Sequence, residues 1–166
     1  MSDHDGVSGD PSALTLPELR AERGRLQAAE DAVSYVRRMA QGRLDLVRAE
    51  RRQRDVGGHL DVEQGLPGIL SGQVGGGSAR PPRSTLIPDD HPLLADLDER
   101  CERLGFDDLV ELSDEALRDL ESELDGFEHA CSAERHTLFT RIDALTADLV
   151  RRYRDGDATV DGLLDD

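Results

Sequence analysis

The chain has very few aromatic residues for its length. Its 166 residues include no tryptophan, two tyrosines and three phenylalanines, whereas Asp, Glu, Lys and Arg make up 34%. Aromatic side chains supply much of the buried area of a large globular core, so this composition argues against such a core. Long helices or a coiled coil with flexible connections fit the composition better.

Cysteine is also scarce. Cys101 and Cys131 are the only two, which is too few for a disulfide-stabilised domain and is typical of a reducing compartment. The first ten residues have neither the basic nor the apolar region of a signal peptide. No apolar run approaches the length of a transmembrane helix. These absences predict a soluble, cytoplasmic protein.

Positive charge is outweighed by negative charge. The formal net charge is −16 at pH 7, which argues against direct binding to nucleic acid or to an anionic membrane. An acidic surface does suit a partner with a basic surface, such as a protein that itself binds DNA.

Two long stretches place an apolar residue at every seventh position, which is the pattern of a coiled-coil seam. The two sets are Leu19, Leu26, Val33, Ala40 and Val47, and Leu117, Leu124, Cys131, Leu138 and Leu145. Thr15 and Glu18 form a capping box before the first stretch, and Ser113 is a suitable N-cap for the second. The sequence therefore predicts helices over residues 16–55 and 114–155.

The remaining segments connect these two helices or extend beyond them. Many glycines and prolines indicate a flexible linker after the first helix, and Pro92 and Gly105 bracket a short helix. The predicted organisation is a disordered N-terminus (1–13), a helical domain (14–155) containing the linker (56–87) and the short helix (92–104), and an acidic tail (156–166).

Neither long helix can bury its apolar stripe alone, so we expect the two to pair. The linker is long enough for either direction, but the matched lengths and the polar stripes described next favour an antiparallel arrangement. The predicted fold is therefore all-α: an antiparallel two-helix coiled-coil hairpin with a short third helix and a long flexible linker.

Each long helix also bears a stripe of polar residues at the same spacing. The first stripe is Glu30, Ser34, Arg37, Gln41 and Asp45, and the second is Glu128, Ser132, Arg135 and Asp143, with Phe139 where the first has its amide. At about 100° per residue, each stripe lies within an arc of roughly 80°. With the apolar repeat at heptad position a, the stripe residues fall at e, b, e, b and f. In an antiparallel pair the e flanks face one another, which predicts a shared groove with Arg37 opposite Arg135.

The residue types of the stripes suit a guanine dinucleotide. A carboxylate accepts from the N1–H and amino group of guanine, and a guanidinium forks onto guanine O6 and N7 or pairs with phosphate. Two stripes related by a pseudo-two-fold axis would match a pseudo-symmetric ligand with two phosphates.

The pattern Glu-x3-Ser-x2-Arg-x3-Gln-x3-Asp, once on each helix of an antiparallel coiled coil, resembles the RsiG anti-sigma factors of spore-forming actinobacteria. The first stripe fits at all five positions and the second at four. The resemblance implies a non-enzymatic regulator whose ligand is cyclic di-GMP, in two molecules. It also implies that the liganded protein sequesters a sporulation sigma factor, WhiG or one like it, from RNA polymerase.

By this resemblance, nine residues are expected to bind cyclic di-GMP. They are Glu30, Ser34, Arg37, Gln41, Asp45, Glu128, Ser132, Arg135 and Asp143. Phe139 departs from the pattern, so no polar contact is expected from it; it would pack against a base or against the neighbouring helix. Arg43 and Arg141, at nominal d positions, either reach the ligand or extend outward from the seam.

Two other readings compete with this one. In the first, the protein is a ligand-independent coiled-coil adaptor, and each stripe is a solvated face with ion pairs along one helix. In the second it is an enzyme, which ranks last because no cluster has the spacing of metal ligands. His129 and His136 fall at f while Cys131 points into the seam, so we expect no metal site. The role of the short helix stays open between bracing the long helices and meeting the sigma factor.

Overall fold

A computed structural model of the chain describes residues 11–60 and 91–156. Every regular element in these ranges is helical. The α-helices are α1 (Leu16–Asp55), α2 (Pro92–Arg103) and α3 (Asp114–Asp155), and two short 3-10 turns lie at Pro11–Ala13 and Phe106–Asp108. None of the described helices has the length and apolar character needed to cross a membrane.

Local capping fixes the starts of both long helices. At α1, the backbone N–H of Thr15 donates to the Glu18 carboxylate at 2.7 Å, while the Glu18 N–H faces the Thr15 hydroxyl at 3.5 Å. At α3, the backbone N–H of Ala116 donates to the Ser113 hydroxyl at 3.1 Å. These bonds satisfy amides that have no partner within the helix. Both helices begin and end at the residues that the sequence predicts.

The short helix α2 ends one residue earlier than predicted, at Arg103, with Leu104 as its C-cap. Gly105 then adopts a left-handed conformation with φ of 74°, which a residue with a side chain rarely adopts. Leu97 and Cys101 are the buried residues of α2.

Polar contacts also hold α2 against the long helices. Arg43 of α1 donates to the Asp98 carboxylate and to the Cys101 sulfur. Arg100 of α2 donates to Glu123 of α3. Of the two roles left open by the sequence, the contacts support bracing of α1 and α3.

The contacts divide the chain into two compact units, whereas the sequence treats 14–155 as one domain. Unit 1 comprises residues 1–30 and 135–166, and unit 2 comprises residues 31–134. Each contains a part of α1 packed against a part of α3, so each can be considered as a helix pair with its own core.

Within each unit, α1 and α3 run in opposite directions. In unit 1, Arg20 contacts Tyr153 and Glu30 contacts Arg135, so the partner number falls as the α1 number rises. In unit 2 the partner of Arg37 is Glu128, that of Arg48 is Glu121, and that of Arg54 is Asp114. The long helices thus pack against each other as the predicted hairpin requires.

The apolar core of each unit follows the seven-residue repeat. All ten residues of the two predicted sets are buried, and Leu120 and Phe127 join them at intermediate positions of α3. The intermediate positions of α1 are less regular: Ala29 is exposed, Arg43 reaches α2, and Glu50 is a fully buried charge. Intermediate positions of α3 also become polar, because Arg141 is exposed and Asp148 is a buried charge, so polar residues interrupt the apolar seam on both helices.

Two short segments differ from the prediction. Pro11–Ala13 forms a turn, and Arg152 of α3 donates to the carbonyls of Ser12 and Leu14 on either side of it. Residues 56–60 are fastened to α1, because Leu60 is buried and its N–H donates to the Glu50 carboxylate at 2.6 Å. The rest of the predicted N-terminus, linker and tail (1–10, 61–87 and 157–166) lies outside the described residues.

Candidate functional site

In unit 2, residues from both polar stripes converge on one carboxylate oxygen. Glu128 Oε1 accepts from Arg37 Nη1 at 2.8 Å, from Gln41 Nε2 at 3.1 Å and from Ser132 Oγ at 3.1 Å. Arg37 and Gln41 lie one turn apart on α1, and Glu128 and Ser132 lie one turn apart on α3. We call these four residues the Arg37 half-site.

The environment of Glu128 keeps it ionised. Burial raises the pKa of this carboxyl, but the hydrogen bonds from Arg37 and Ser132 outweigh burial and leave the pKa below its usual value. The side chains of Arg37 and Glu128 are only 23% and 14% exposed, so water screens the pair less than at an open surface. Arg37 Nε is buried and has no hydrogen-bond partner among the described residues.

In unit 1, the corresponding residues form a second ion pair. Arg135 Nε donates to Glu30 Oε1 at 2.9 Å, and the two side chains are 29% and 13% exposed. The guanidinium carbon of Arg135 also lies 5.1 Å from the centroid of the Phe139 ring, one turn further along the same helix. Phe139 thus contacts an arginine of its own helix. We call Glu30, Arg135 and Phe139 the Arg135 half-site.

The two ion pairs bear out the expected pairing of e flanks. Glu30, Arg37, Glu128 and Arg135 all occupy heptad position e, and each contact joins an e residue of α1 to an e residue of α3. Arg37 and Arg135 belong to different units, so their expected placement opposite each other stays a prediction. Within its own unit, each arginine contacts the glutamate of the other stripe, because opposite charges attract.

The other predicted residues are less closely gathered. Ser34 and Asp45 are half-buried on α1, while Asp143 is exposed on α3 at the edge of an open surface groove. Arg43 contacts Asp98 and Cys101 of α2, and Arg141 contacts Glu22 of α1 at 3.4 Å. The contacts of these two arginines therefore lie outside both half-sites.

The reciprocal pairing differs from the sequence prediction, although the sequence contains a signal for it. Glutamate precedes arginine by seven residues in both stripes, from Glu30 to Arg37 and from Glu128 to Arg135. In an antiparallel pair, equal spacing on both helices can bring each glutamate level with the arginine of the other. The spacing alone thus favours two glutamate–arginine contacts over one arginine–arginine contact.

In the described residues, then, all regular elements are helical, and polar residues from two helices gather on a partly buried carboxylate in each unit. Among the described residues there is no group of three His, Cys, Asp or Glu side chains that could hold a metal ion.

The RsiG-like family model matches residues 5–70 and 105–165, which is most of the chain. The chain therefore belongs to the RsiG-like family, a family of regulatory proteins of the anti-sigma factor type. No curated protein matches the chain significantly.

Proposed function

We propose that the protein is an anti-sigma factor that binds cyclic di-GMP at the two half-sites and, when liganded, sequesters a sporulation sigma factor from RNA polymerase. Family membership supports the anti-sigma class. The observation that supports cyclic di-GMP as the ligand is that the two stripes meet. In each unit, the arginine of one stripe contacts the glutamate of the other.

The chemistry of each half-site matches the parts of the nucleotide. The arginine of each half-site, Arg37 or Arg135, suits a phosphate, since a guanidinium forms charge-assisted bonds with phosphate oxygens. Glu30 and Glu128 suit the guanine edges, because N1–H and the amino group are both donors. An anionic ligand whose bases lacked these donors would only be repelled by the two carboxylates.

Ligand binding would exchange one set of contacts for another. Each guanidinium is already engaged by a carboxylate, so phosphate must share or displace that contact while the carboxylate turns to guanine. A nucleotide held by residues of both α1 and α3 would restrict the movement of one helix against the other. The population would then shift towards the conformation that the sigma factor recognises.

Charge also supports a sigma factor as the partner. The net charge of −16 favours a partner with a basic surface, and the surface of a sigma factor that binds promoter DNA must be basic to meet the phosphates. Covering such a surface would prevent promoter binding by direct competition.

Calorimetric titration of the purified protein tests the ligand, with cyclic di-AMP as the matched control. Both dinucleotides have two phosphates, but adenine presents an acceptor at N1 where guanine presents a donor. We expect heat and a thermal shift with cyclic di-GMP and neither with cyclic di-AMP. Equal responses to both would indicate recognition of phosphate alone, which contradicts the role given to Glu30 and Glu128.

A second candidate, the ligand-independent coiled-coil adaptor, is favoured by one observation. Each glutamate–arginine pair is an ion pair between α1 and α3, and such a pair helps to hold the two helices together without a ligand. The exchange Arg37→Glu with Glu128→Arg separates the two functions, because it keeps an ion pair but moves the guanidinium to the other helix. We expect the exchanged protein to fold and to lose nucleotide binding. An adaptor would give no heat with cyclic di-GMP at tens of micromolar even as wild type.

A further inference from the structure

We propose that Phe139 is a stacking platform for a guanine base, so that the Arg135 half-site binds its nucleotide by different chemistry from the Arg37 half-site. This inference rests on the proposed function and adds to it a residue that determines affinity. It concerns the one position at which the second stripe departs from the first.

The two half-sites already differ in their hydrogen bonding. In the Arg37 half-site, the amide of Gln41 donates to Glu128 at 3.1 Å. Phe139 stands at the corresponding position of the second stripe and offers no hydrogen-bonding group. A ligand at the Arg135 half-site therefore meets an aromatic face where a ligand at the other meets an amide.

Phe139 is the most exposed of the three phenylalanines. Of the three phenylalanines, Phe127 is buried and Phe106 is half-buried, but the side chain of Phe139 is 41% exposed. Contacts within the protein cover only part of this apolar ring. Its exposed face remains accessible to a flat, apolar surface such as a base.

The ring of Phe139 lies next to the guanidinium of Arg135, which is the group that would bind phosphate. The guanidinium carbon lies 5.1 Å from the ring centroid, within the range of a cation–π contact, and Nε is held by Glu30. The ring and the carboxylate together restrict where the guanidinium can lie. A phosphate on Arg135 would thus bring its attached guanosine close to Phe139, where stacking needs no particular hydrogen-bonding pattern.

Two substitutions and one control test the platform by calorimetric titration with cyclic di-GMP. Phe139→Leu keeps apolar bulk without the π system, and Phe139→Gln restores the amide of the first stripe. Tyr153→Leu is the control, since Tyr153 is 40% exposed in the same unit and lies under Arg20 at 5.7 Å, outside both stripes. Both positions are exposed, so circular dichroism should show unchanged helicity in all three variants.

We expect both Phe139 variants to bind about tenfold more weakly than wild type, the effect of losing one base–aromatic stack, and Tyr153→Leu to bind as wild type. In NMR spectra of the wild type, the Phe139 ring should show a nuclear Overhauser effect to guanine H8. Unchanged affinity in Phe139→Leu, or tighter binding in Phe139→Gln, would overturn the platform. If wild type binds no cyclic di-GMP, the proposed function fails first and this inference fails with it.

Discussion

Glu128 illustrates how much of the site depends on single residues. Its Oε1 accepts hydrogen bonds from three side chains of both long helices. Burial raises the pKa of this carboxyl, but the bonds from Arg37 and Ser132 outweigh burial and lower the pKa. The types of these residues and their heptad positions could be read from the sequence. Their partners depend on the relative register of α1 and α3, for which the equal seven-residue spacing from glutamate to arginine on both helices was an indirect signal.

Arg37→Ala should affect stability and ligand binding to different extents. The Arg37–Glu128 pair is partly buried, so we expect its loss to lower the free energy of unfolding by about 1 kcal/mol, measured by urea denaturation. The helices should still form, since Arg37 lies off the apolar seam. Binding of cyclic di-GMP should be lost.

Arg38→Ala is the matched control for that substitution. Arg38 is the next residue on α1 and is exposed, so its removal should change neither stability nor nucleotide binding. An Arg37→Ala protein that unfolds altogether, or that binds the nucleotide as wild type, would contradict the role given to Arg37.

At the scale of elements, the sequence predicted the bounds of the helices well, but not the contacts that the helices make with other segments. Capping residues at Thr15 and Ser113 act on amides within one turn, so the ends of α1 and α3 follow from local sequence. The turn at Pro11–Ala13 depends instead on Arg152, which is distant in the chain. Attachments made by residues far apart in sequence are not visible to reasoning from local patterns.

The clearest such attachment is the fully buried Glu50 at the end of α1. Its carboxylate accepts from Arg54 Nε at 2.6 Å and from the Leu60 N–H at 2.6 Å, and contacts His59 Nδ1 at 2.8 Å. Arg54 also donates to the backbone carbonyl of Leu112, in the segment before α3. Glu50 thus ties the end of α1 to residues 56–60 and, through Arg54, to the start of α3.

Glu50→Gln should therefore destabilise the protein. The amide keeps the shape of the side chain but removes the charge that binds Arg54, so we expect a loss of about 2 kcal/mol in the free energy of unfolding. Urea denaturation at pH 7 measures it, with the exposed Glu111→Gln as control. A loss no larger than that of the control would show that the charge of Glu50 does not stabilise the end of α1.

The free energy of unfolding of the wild type should also depend on pH differently from that of Glu50→Gln. Burial raises the pKa of Glu50, but the bonds from Leu60, Arg54 and His59 outweigh it, so the pKa in the folded protein is lowered. Ionised Glu50 then stabilises the fold above its unfolded pKa, about 4.3, and this contribution is lost as the pH falls through the lower folded pKa. The stability difference between wild type and Glu50→Gln should be constant from pH 7 to about pH 5 and shrink below that. A difference that grows on acidification would contradict the lowered pKa.

At the scale of the whole molecule, composition was the most informative property. Few aromatics and abundant charge indicated long helices, and the net charge of −16 indicated a basic partner. The RsiG-like match over most of the chain agrees with the resemblance that the two stripes suggested. The division into two units was not foreseen, because the heptad pattern runs through α1 and α3 without a break at Glu30 or Arg135.

Capture of a purified sporulation sigma factor by the immobilised full-length protein, with and without cyclic di-GMP, tests the central claim most directly. We predict that the sigma factor is retained only when cyclic di-GMP is present, and that cyclic di-AMP does not replace it. Equal retention with and without the nucleotide would contradict the ligand-dependent account and favour the adaptor. Failure to retain the sigma factor in either condition would contradict the proposed partner.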